Sequence, residues 1–297
     1  MKRVLITGKN SYIGESFRKY VEANHREEIQ IDVISVRGNA WKSRDFSVYD
    51  TVFHVAGKAH ADVSHVSEAV KQEYYAVNRD LAVAVAQKYR SERNGFSQFI
   101  YMSSIIVYGQ KIDHIVAETP TNPANFYGDS KLQAERSLQK MTDVNFQVLI
   151  IRPPMIYGPN SKGNFPSLVK IAKISPVFPK ITNQRSMLFV DNLAEFISQL
   201  IIKSQLTATY FPQNKEYVNT TDLVKMIRTI RGNNVILVSG MNSLLHLLMN
   251  HDNSMIGAYA NKAFGSLVYD KGLSKSSDML LNDYQVVSFK ESIRRSL

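Results

Sequence analysis

The chain has 297 residues, with 36 Lys and Arg against 26 Asp and Glu, a formal charge of +10. A hydrophobic fraction of 44% and a charged fraction of 21% suit a globular protein with a sizeable core and exclude a largely disordered chain. The complete absence of cysteine excludes disulfides, thiolate metal sites and cysteine nucleophiles.

In chain order, short apolar runs alternate with amphipathic stretches in the N-terminal half, the pattern of βαβ units on a parallel sheet. Arg3–Thr7 is expected as a first strand, followed by a glycine turn and a helix over about Gly14–Ala23. Ile29–Val36 and Thr51–Ala56 read as the second and third strands. Glu68–Arg93 reads as one long helix with Ala76, Leu81 and Val85 on its apolar face. Phe99–Met102 is expected as a strand, Phe126–Gln139 as a helix, and Val148–Arg152 as a strand stopped by Pro153-Pro154, which cannot donate ladder hydrogen bonds. Beyond residue 160 the pattern loosens. Helices are expected over Pro166–Lys173, Val190–Ser204, Thr221–Arg231 and Ser243–Asn250, with Thr220-Thr221-Asp222 as N-cap candidates for the third. The fold class is α/β, a Rossmann-type doubly wound parallel sheet with a smaller C-terminal lobe. The organisation suggests a nucleotide-binding sheet over residues 1–160, with later contributions from about 181–204, and a smaller lobe, expected to bind substrate, mainly over 161–297.

No apolar run approaches the ~20 residues needed to span a bilayer, and Val4–Ile6 is too short for a secretory signal. The expectation is a soluble, cytoplasmic protein with no membrane partner. Lys and Arg are scattered rather than gathered into a basic arm. The charge therefore reads as a solvated surface that attracts anionic small molecules, not as a nucleic-acid interface.

Directly after the first strand comes Thr7-Gly8-Lys9-Asn10-Ser11-Tyr12-Ile13-Gly14. A strand, a glycine turn and a helix start aim backbone N–H groups and the helix dipole at a pyrophosphate. Gly8 permits the turn and Gly14 close helix-to-strand packing. Glycine is also expected where Ser11 stands, so the turn is expected to be distorted there. The end of the second strand discriminates the cofactor ribose: an acid there favours NAD, an Arg accommodates a 2′-phosphate. That position falls on Arg37, with Asp32 too early to serve, which leaves NAD or NADP open with a lean to NADP.

Tyr127-Gly128-Asp129-Ser130-Lys131 places a phenol and an ammonium one helical turn apart on one face. A Tyr with an ordinary pKa near 10 is a poor base at neutral pH; a nearby ammonium and a positive nicotinamide favour its phenolate. Upstream, Ser103-Ser104-Ile105-Ile106-Val107-Tyr108-Gly109 sets hydroxyls at a strand's carboxyl end, where open α/β sheets bind ligands.

Together with His54-Val55-Ala56-Gly57, Asn78, Arg152-Pro153-Pro154-Met155-Ile156-Tyr157-Gly158-Pro159 and Arg185 through Asp191, these motifs run in order over about residues 3–200. The chain resembles the extended short-chain dehydrogenase/reductases, in the NAD-dependent epimerase/dehydratase family of nucleotide-sugar enzymes. The resemblance implies that Ser104, Tyr127 and Lys131 are catalytic. It implies cofactor contacts at Gly8, Asn10, Ser11, Tyr12, Ile13, Gly14, Arg37, Ala56, Gly57, Asn78 and Pro154, and substrate contacts at Tyr157, Phe178 and Arg185. Phe178 matches a base-stacking position and Arg185 the arginine that clamps a nucleotide diphosphate. A homodimer through Glu68–Arg93 and Phe126–Gln139 is also implied. Met155 departs from the family's frequent Asn. Ile105 and Ile106 stand where the dehydratase branch carries an acid pair, which argues against 4,6-dehydration.

No metal is expected. His54 falls on a buried strand, and neither it nor His60 or His65 has a partner at ligand spacing. Trp41 and the Tyr74-Tyr75 pair read as packing. The resulting expectation is a nucleotide-sugar 4-epimerase acting on a UDP-hexose or UDP-N-acetylhexosamine. The alternatives are an NADPH-dependent reductase of a nucleotide-linked keto sugar and a non-catalytic dinucleotide-binding regulator.

Overall fold

The computed structural model describes residues 1–59, 66–109, 112–240, 264–276 and 283–297; His60, His65 and the segment Ser243–Asn250 lie outside them. The described elements begin with β1 (Lys2–Thr7), α1 (Tyr12–Asn24), β2 (Ile29–Ile34), β3 (Thr51–His54), α2 (Glu68–Tyr75), α3 (Leu81–Glu92) and β4 (Ser97–Met102). They continue with β5 (His114–Ile115), α4 (Phe126–Gln139), β6 (Phe146–Ile151), β7 (Met155–Tyr157), α5 (Asn164–Ile174), β8 (Val177–Pro179), β9 (Met187–Phe189) and α6 (Val190–Ile202). The last are β10 (Ala208–Tyr210), α7 (Thr220–Ile230), β11 (Ile236–Val238), β12 (Val268–Tyr269), α8 (Lys271–Ser276) and α9 (Phe289–Arg295).

Six strands form the main sheet in the order β10-β6-β4-β3-β1-β2, every pair parallel. A parallel sheet is covered on both faces, so its strands are apolar nearly throughout. Every residue of β3, β4 and β6 is buried. One face packs Val4, Ile6, Phe53, Ile100 and Leu149 under α1 and α6, through Phe17, Val21, Leu193, Phe196 and Ile197. The other packs Leu5, Val52, Phe99 and Val148 under α3 and α4, through Val85, Tyr89, Ala134 and Leu138. A third apolar cluster joins Phe165 and Leu168 of α5, Phe178, Phe189, Leu223 and Ile227 of α7, and Ile293 of α9.

The chain moves from β1 outward to β2, then crosses back over β1 to β3. This reversal opens a crevice between the carboxyl ends of β1 and β3, the place where doubly wound sheets take ligands. The glycine turn after Thr7 and the segment after His54 line it, and the ends of β4 and β6 lie beyond.

Several boundaries differ from the sequence expectation, and two strand ends have a local reason. β2 stops at Ile34 because its carbonyl accepts the amides of Gly8 and Lys9 at 3.0 and 3.1 Å. β3 stops at His54 because Val55 and Ala56 both donate to the Thr7 carbonyl, at 3.1 and 2.9 Å. The expected single helix over Glu68–Arg93 contains a π turn at Ala76–Asp80. The N-cap of α7 is Asn219 rather than a residue of Thr220-Thr221-Asp222; its Oδ1 accepts from the amides of Thr221 and Asp222. No helix among the described residues is long and apolar enough to cross a membrane.

Candidate active site

The turn after β1 makes a close approach that only glycine allows. Gly8 has φ +133°, and a Cβ there would sit 2.8 Å from the Ala56 amide nitrogen. The left-handed step next to it falls on Asn10, φ 65°, a residue type that tolerates it. Ser11 has ordinary extended dihedrals (φ −74°, ψ 140°) and caps α1, its Oγ accepting from the Gly14 amide at 3.2 Å. A serine therefore replaces the expected glycine without distorting the turn, and it supplies a cap that glycine would not. The first-turn amides of Tyr12 and Ile13 have no carbonyl to bond within the helix and point out of its N-terminus. The Tyr12 side chain runs the other way: its hydroxyl is buried without a hydrogen-bond partner, beside Gly158 and Val190.

Past β2, Arg37 is exposed. Asp32, inside the strand, is engaged: its Oδ2 accepts from the Tyr49 hydroxyl at 2.7 Å and pairs with Arg44 at 3.5 Å. Trp41 is buried against Phe46 and donates to the Gly38 carbonyl, a packing role.

Across the crevice, α4 is capped by Asn125, whose Oδ1 accepts from Gly128 at 3.0 Å. A Cβ on Gly128 would lie 2.9 Å from the Ile106 carbonyl oxygen and 2.9 Å from Pro123 Cβ. That contact seats the first turn of α4 on the 3₁₀ turn Ile105–Tyr108, which Ser104 caps. Tyr127 and Ser104 consequently meet. Burial pushes the Tyr127 phenol up to about 12, and its hydrogen bond with the Ser104 hydroxyl pulls the other way.

Lys131, one turn along, is 6% exposed. Its Nζ donates to the Met102 carbonyl at 2.8 Å and lies 4.7 Å over the Tyr101 ring. Burial brings its ammonium down to about 8, so it stays largely charged at neutral pH. Gly57 leaves room for it: a Cβ there would be 3.2 Å from Lys131 Nζ and 3.2 Å from Asn78 Oδ1. Asn78 is fully buried inside the π turn, a feature that recurs at functional sites. Its Oδ1 accepts from the Lys58 amide at 2.8 Å, while Nδ2 donates to the Lys58 carbonyl at 3.1 Å and Ser130 Oγ at 3.0 Å. Its own carbonyl accepts from Tyr101.

His54 is wholly buried between Phe99 and Tyr101, its Nδ1 2.8 Å from Thr7 Oγ1. Burial, helped by the Lys131 charge, depresses it to about 3, so it is neutral and structural. Pro154 is buried after β6.

The turn residues, Ala56, Gly57, Asn78, Ser104, Tyr127 and Lys131 thus come together at the carboxyl edge of the sheet. The three substrate-side candidates do not join them uniformly. Tyr157 is 0% exposed within the third apolar cluster. Its hydroxyl is 2.5 Å from Ser292 Oγ and accepts from Asn214 Nδ2 at 3.0 Å, so it is a core residue with no bond left for a sugar. Phe178 is 3% exposed and packs edge-on against Phe264. Arg185 keeps partial exposure and donates from Nη1 to the Gly265 carbonyl at 3.0 Å.

Sequence reasoning singled out neither Glu135 nor the function of Arg152. Arg152 donates to Glu135 Oε2 at 2.6 Å, and Ser103 also bonds that carboxylate. Their signal was the four-residue spacing that continues from Tyr127 and Lys131 to Glu135.

Residues 4–210 match the model of the NAD dependent epimerase/dehydratase family. The chain belongs to that family. Its relatives include a UDP-glucose 4-epimerase of Vibrio cholerae, 31% identical over 66% of this chain and 65% of that protein. Another is the N-acetyl-alpha-D-glucosaminyl-diphospho-ditrans,octacis-undecaprenol 4-epimerase of Escherichia coli O157:H7, 35% identical over 59% and 51%. The matches span less than two thirds of the length of these relatives. Among solved structures, UDP-glucuronic acid 4-epimerase from Bacillus cereus in complex with UDP-glucuronic acid and NAD shares the fold (TM-score 0.73, 16% identity, 99% of this chain and 97% of that one). So does RMD from Pseudomonas aeruginosa complexed with NADPH (TM-score 0.68, 19% identity, 99% and 97%).

Proposed function

We propose that this family member is a nucleotide-sugar 4-epimerase acting on a UDP-hexose or UDP-N-acetylhexosamine. The observation that carries the reading is the meeting of Tyr127, Ser104 and Lys131 beside a strand-end crevice whose walls approach so closely that a Cβ would lie 2.8 Å from the Ala56 nitrogen at Gly8 and 3.2 Å from Lys131 Nζ at Gly57. That cradle fits a dinucleotide: the α1 N-terminus for the pyrophosphate, Arg37 for the adenosine end, Ala56 and Gly57 along its backbone, Lys131 for the ribose, and Pro154 at the nicotinamide. The cofactor supplies hydride acceptance and return at the sugar C4.

Within that frame, Tyr127 takes the proton of the sugar 4-hydroxyl as the C4–H bond breaks, and Ser104 donates a hydrogen bond to the same oxygen. The Lys131 ammonium favours the Tyr127 phenolate against the burial that raises its pKa. Re-protonation of the oxygen by Tyr127 after the 4-keto sugar turns over completes the inversion. Arg185 holds the diphosphate while the sugar moves. Residues 161–297 form most of the substrate-binding lobe in this reading, and the homodimer forms through the helices over Glu68–Arg93 and Phe126–Gln139.

The test is proton NMR of a UDP-hexose panel with purified protein and substoichiometric NAD or NADP. Formation of the C4 epimer, abolished by Tyr127→Phe, is expected. Absence of any epimer while an established epimerase works under the same conditions, or near-normal turnover by the variant, would refute the assignment. One observation favours a second reading, reduction of a nucleotide-linked keto sugar by NADPH. Arg37 stands exposed past β2 while the Asp32 carboxylate is already bonded to Tyr49 and Arg44, which suits a 2′-phosphate. Stoichiometric NADPH consumption with a keto sugar, and no epimerisation, would select it.

A further inference from the structure

Helix α4 places three polar side chains at four-residue intervals along one face: Tyr127, Lys131 and Glu135. The proposed chemistry uses the first two. Glu135 is 1% exposed, and an isolated carboxylate at such a position costs several kcal/mol in lost hydration. Arg152 offsets that cost, its Nε lying 3.1 and 3.2 Å from the two carboxylate oxygens and its Nη2 2.6 Å from Oε2. The Ser103 hydroxyl donates to Oε1. Arg152 also donates to the Tyr108 hydroxyl at 2.8 Å and stacks over the rings of Tyr108 and Phe211.

The placement of these partners matters more than their number. Ser103 leaves the carboxyl end of β4 and is followed by Ser104. Arg152 leaves the carboxyl end of β6 and is followed by Pro153-Pro154, and the Pro153 carbonyl accepts from the Ile105 amide at 3.0 Å. One carboxylate therefore ties α4 to both strand ends that carry the reacting group and the cofactor wall.

The groups around Lys131 also set Glu135 apart. On the face of α4 it shares with Tyr127 and Glu135, the Lys131 ammonium bonds the Met102 carbonyl while the Glu135 carboxylate bonds the adjacent Ser103 hydroxyl, so both meet the same end of β4; Tyr101 of β4 and the neutral His54 of β3 complete the surroundings of Lys131. Arg152 is ion-paired with Glu135, and the buried Tyr269 lies within electrostatic reach of both. Among these described neighbours Glu135 is the one anion.

We propose that Glu135 is a positioning residue of this site: it locks the β4 and β6 ends onto α4 and supplies the buried counter-charge of the Lys131 ammonium. In its catalytic consequence this rests on the proposed function, but the electrostatic part is measurable without sugar or turnover.

The experiment follows the Lys131 side chain by carbon NMR in ¹³C-lysine-labelled protein, its resonance assigned by loss in Lys131→Met. Glu135→Gln is expected to lower the Lys131 titration midpoint by about one pH unit, roughly tenfold in the protonation equilibrium, while Arg152→Gln does not lower it. The double variant Glu135→Gln/Arg152→Gln removes the ion pair as a unit and leaves no unpaired Arg152 charge, so it carries the test if a single variant does not fold; its midpoint must also fall. An unmoved midpoint in the Glu135 variants, or an equal fall in Arg152→Gln, would overturn the proposal, the latter by marking general loosening. Where epimerisation is measurable, Glu135→Gln should cut kcat about tenfold with the sugar KM unchanged, because Glu135 touches neither substrate nor cofactor. A rise in KM with kcat intact would overturn the positioning role. Failure of epimerisation itself would leave the NMR result standing and fall on the functional reading alone.

Discussion

Gly128→Ala sets two effects against each other at one position. Alanine in place of glycine inside a helix is worth up to about 1 kcal/mol from backbone entropy, and Gly128 is buried in the first turn of α4 with a hydrogen-bonded amide. The new methyl, however, would lie 2.9 Å from the Ile106 carbonyl oxygen and 2.9 Å from Pro123 Cβ. Ordinary contact begins near 3.4 Å, so the helix and the 3₁₀ turn must separate by about 0.5 Å. Neither obstacle can swing aside, since one is backbone and the other a proline ring. Overpacking of this kind costs roughly 1–3 kcal/mol, so the clash offsets or outweighs the entropy gain and net destabilisation of up to about 2 kcal/mol is expected in urea unfolding.

Activity should suffer more than stability. The same separation draws Ser104 away from Tyr127, and a misplacement of about 1 Å costs on the order of a hundredfold in rate. Half that displacement predicts a roughly tenfold fall in kcat. Stabilisation by about 1 kcal/mol with unchanged turnover would refute the claim that the Gly128 contact sets the site geometry.

Three further outcomes follow from the same structure. Burial works to lower the pKa of His25, but its bonds to Glu28 at 2.8 Å and Glu195 at 2.7 Å outweigh this and hold it above the usual 6.5. Its stabilisation is therefore complete below 6.5 and is lost as pH rises through the elevated folded value; wild type should lose stability relative to His25→Gln across that window in urea titrations, and parallel curves would refute the link. Ser11→Ala should destabilise by about 1 kcal/mol through loss of the α1 cap, whereas Ser11→Gly should cost only a few tenths; equal losses by thermal unfolding would mean that the hydroxyl does not cap. Arg37→Glu should weaken binding of NADP about tenfold or more relative to NAD, measured by fluorescence titration, through loss of a charge-assisted contact; an unchanged ratio would remove Arg37 from the cofactor site.

Local physics made much of this protein legible from its residues. Helix Phe126–Gln139 falls where its sequence places it because its start is set locally, by an Asn cap and a glycine three residues on. The mostly apolar runs of β4 and β6 announce a sheet covered on both faces. The ordered motifs brought Ser104, Tyr127 and Lys131 into one reading, and the fold gathers them where strand carboxyl ends converge. Tertiary structure alone decided the rest. No local rule pairs Glu135 with Arg152 or binds Ser103 to it, since those partners come from three elements that only the sheet order makes neighbours. Tyr157 belongs to a motif in sequence, yet Ser292 and Asn214, from more than fifty residues away, take its hydroxyl into the core. Ser11 looks like a defect in a glycine pattern until its dihedrals and its bond to Gly14 show a cap. Periodicity and capping act within a few residues of chain, so sequence determined the elements and their chemistry. Burial and long-range pairing exist only once those elements pack, and they settled which side chains face the site and which support it.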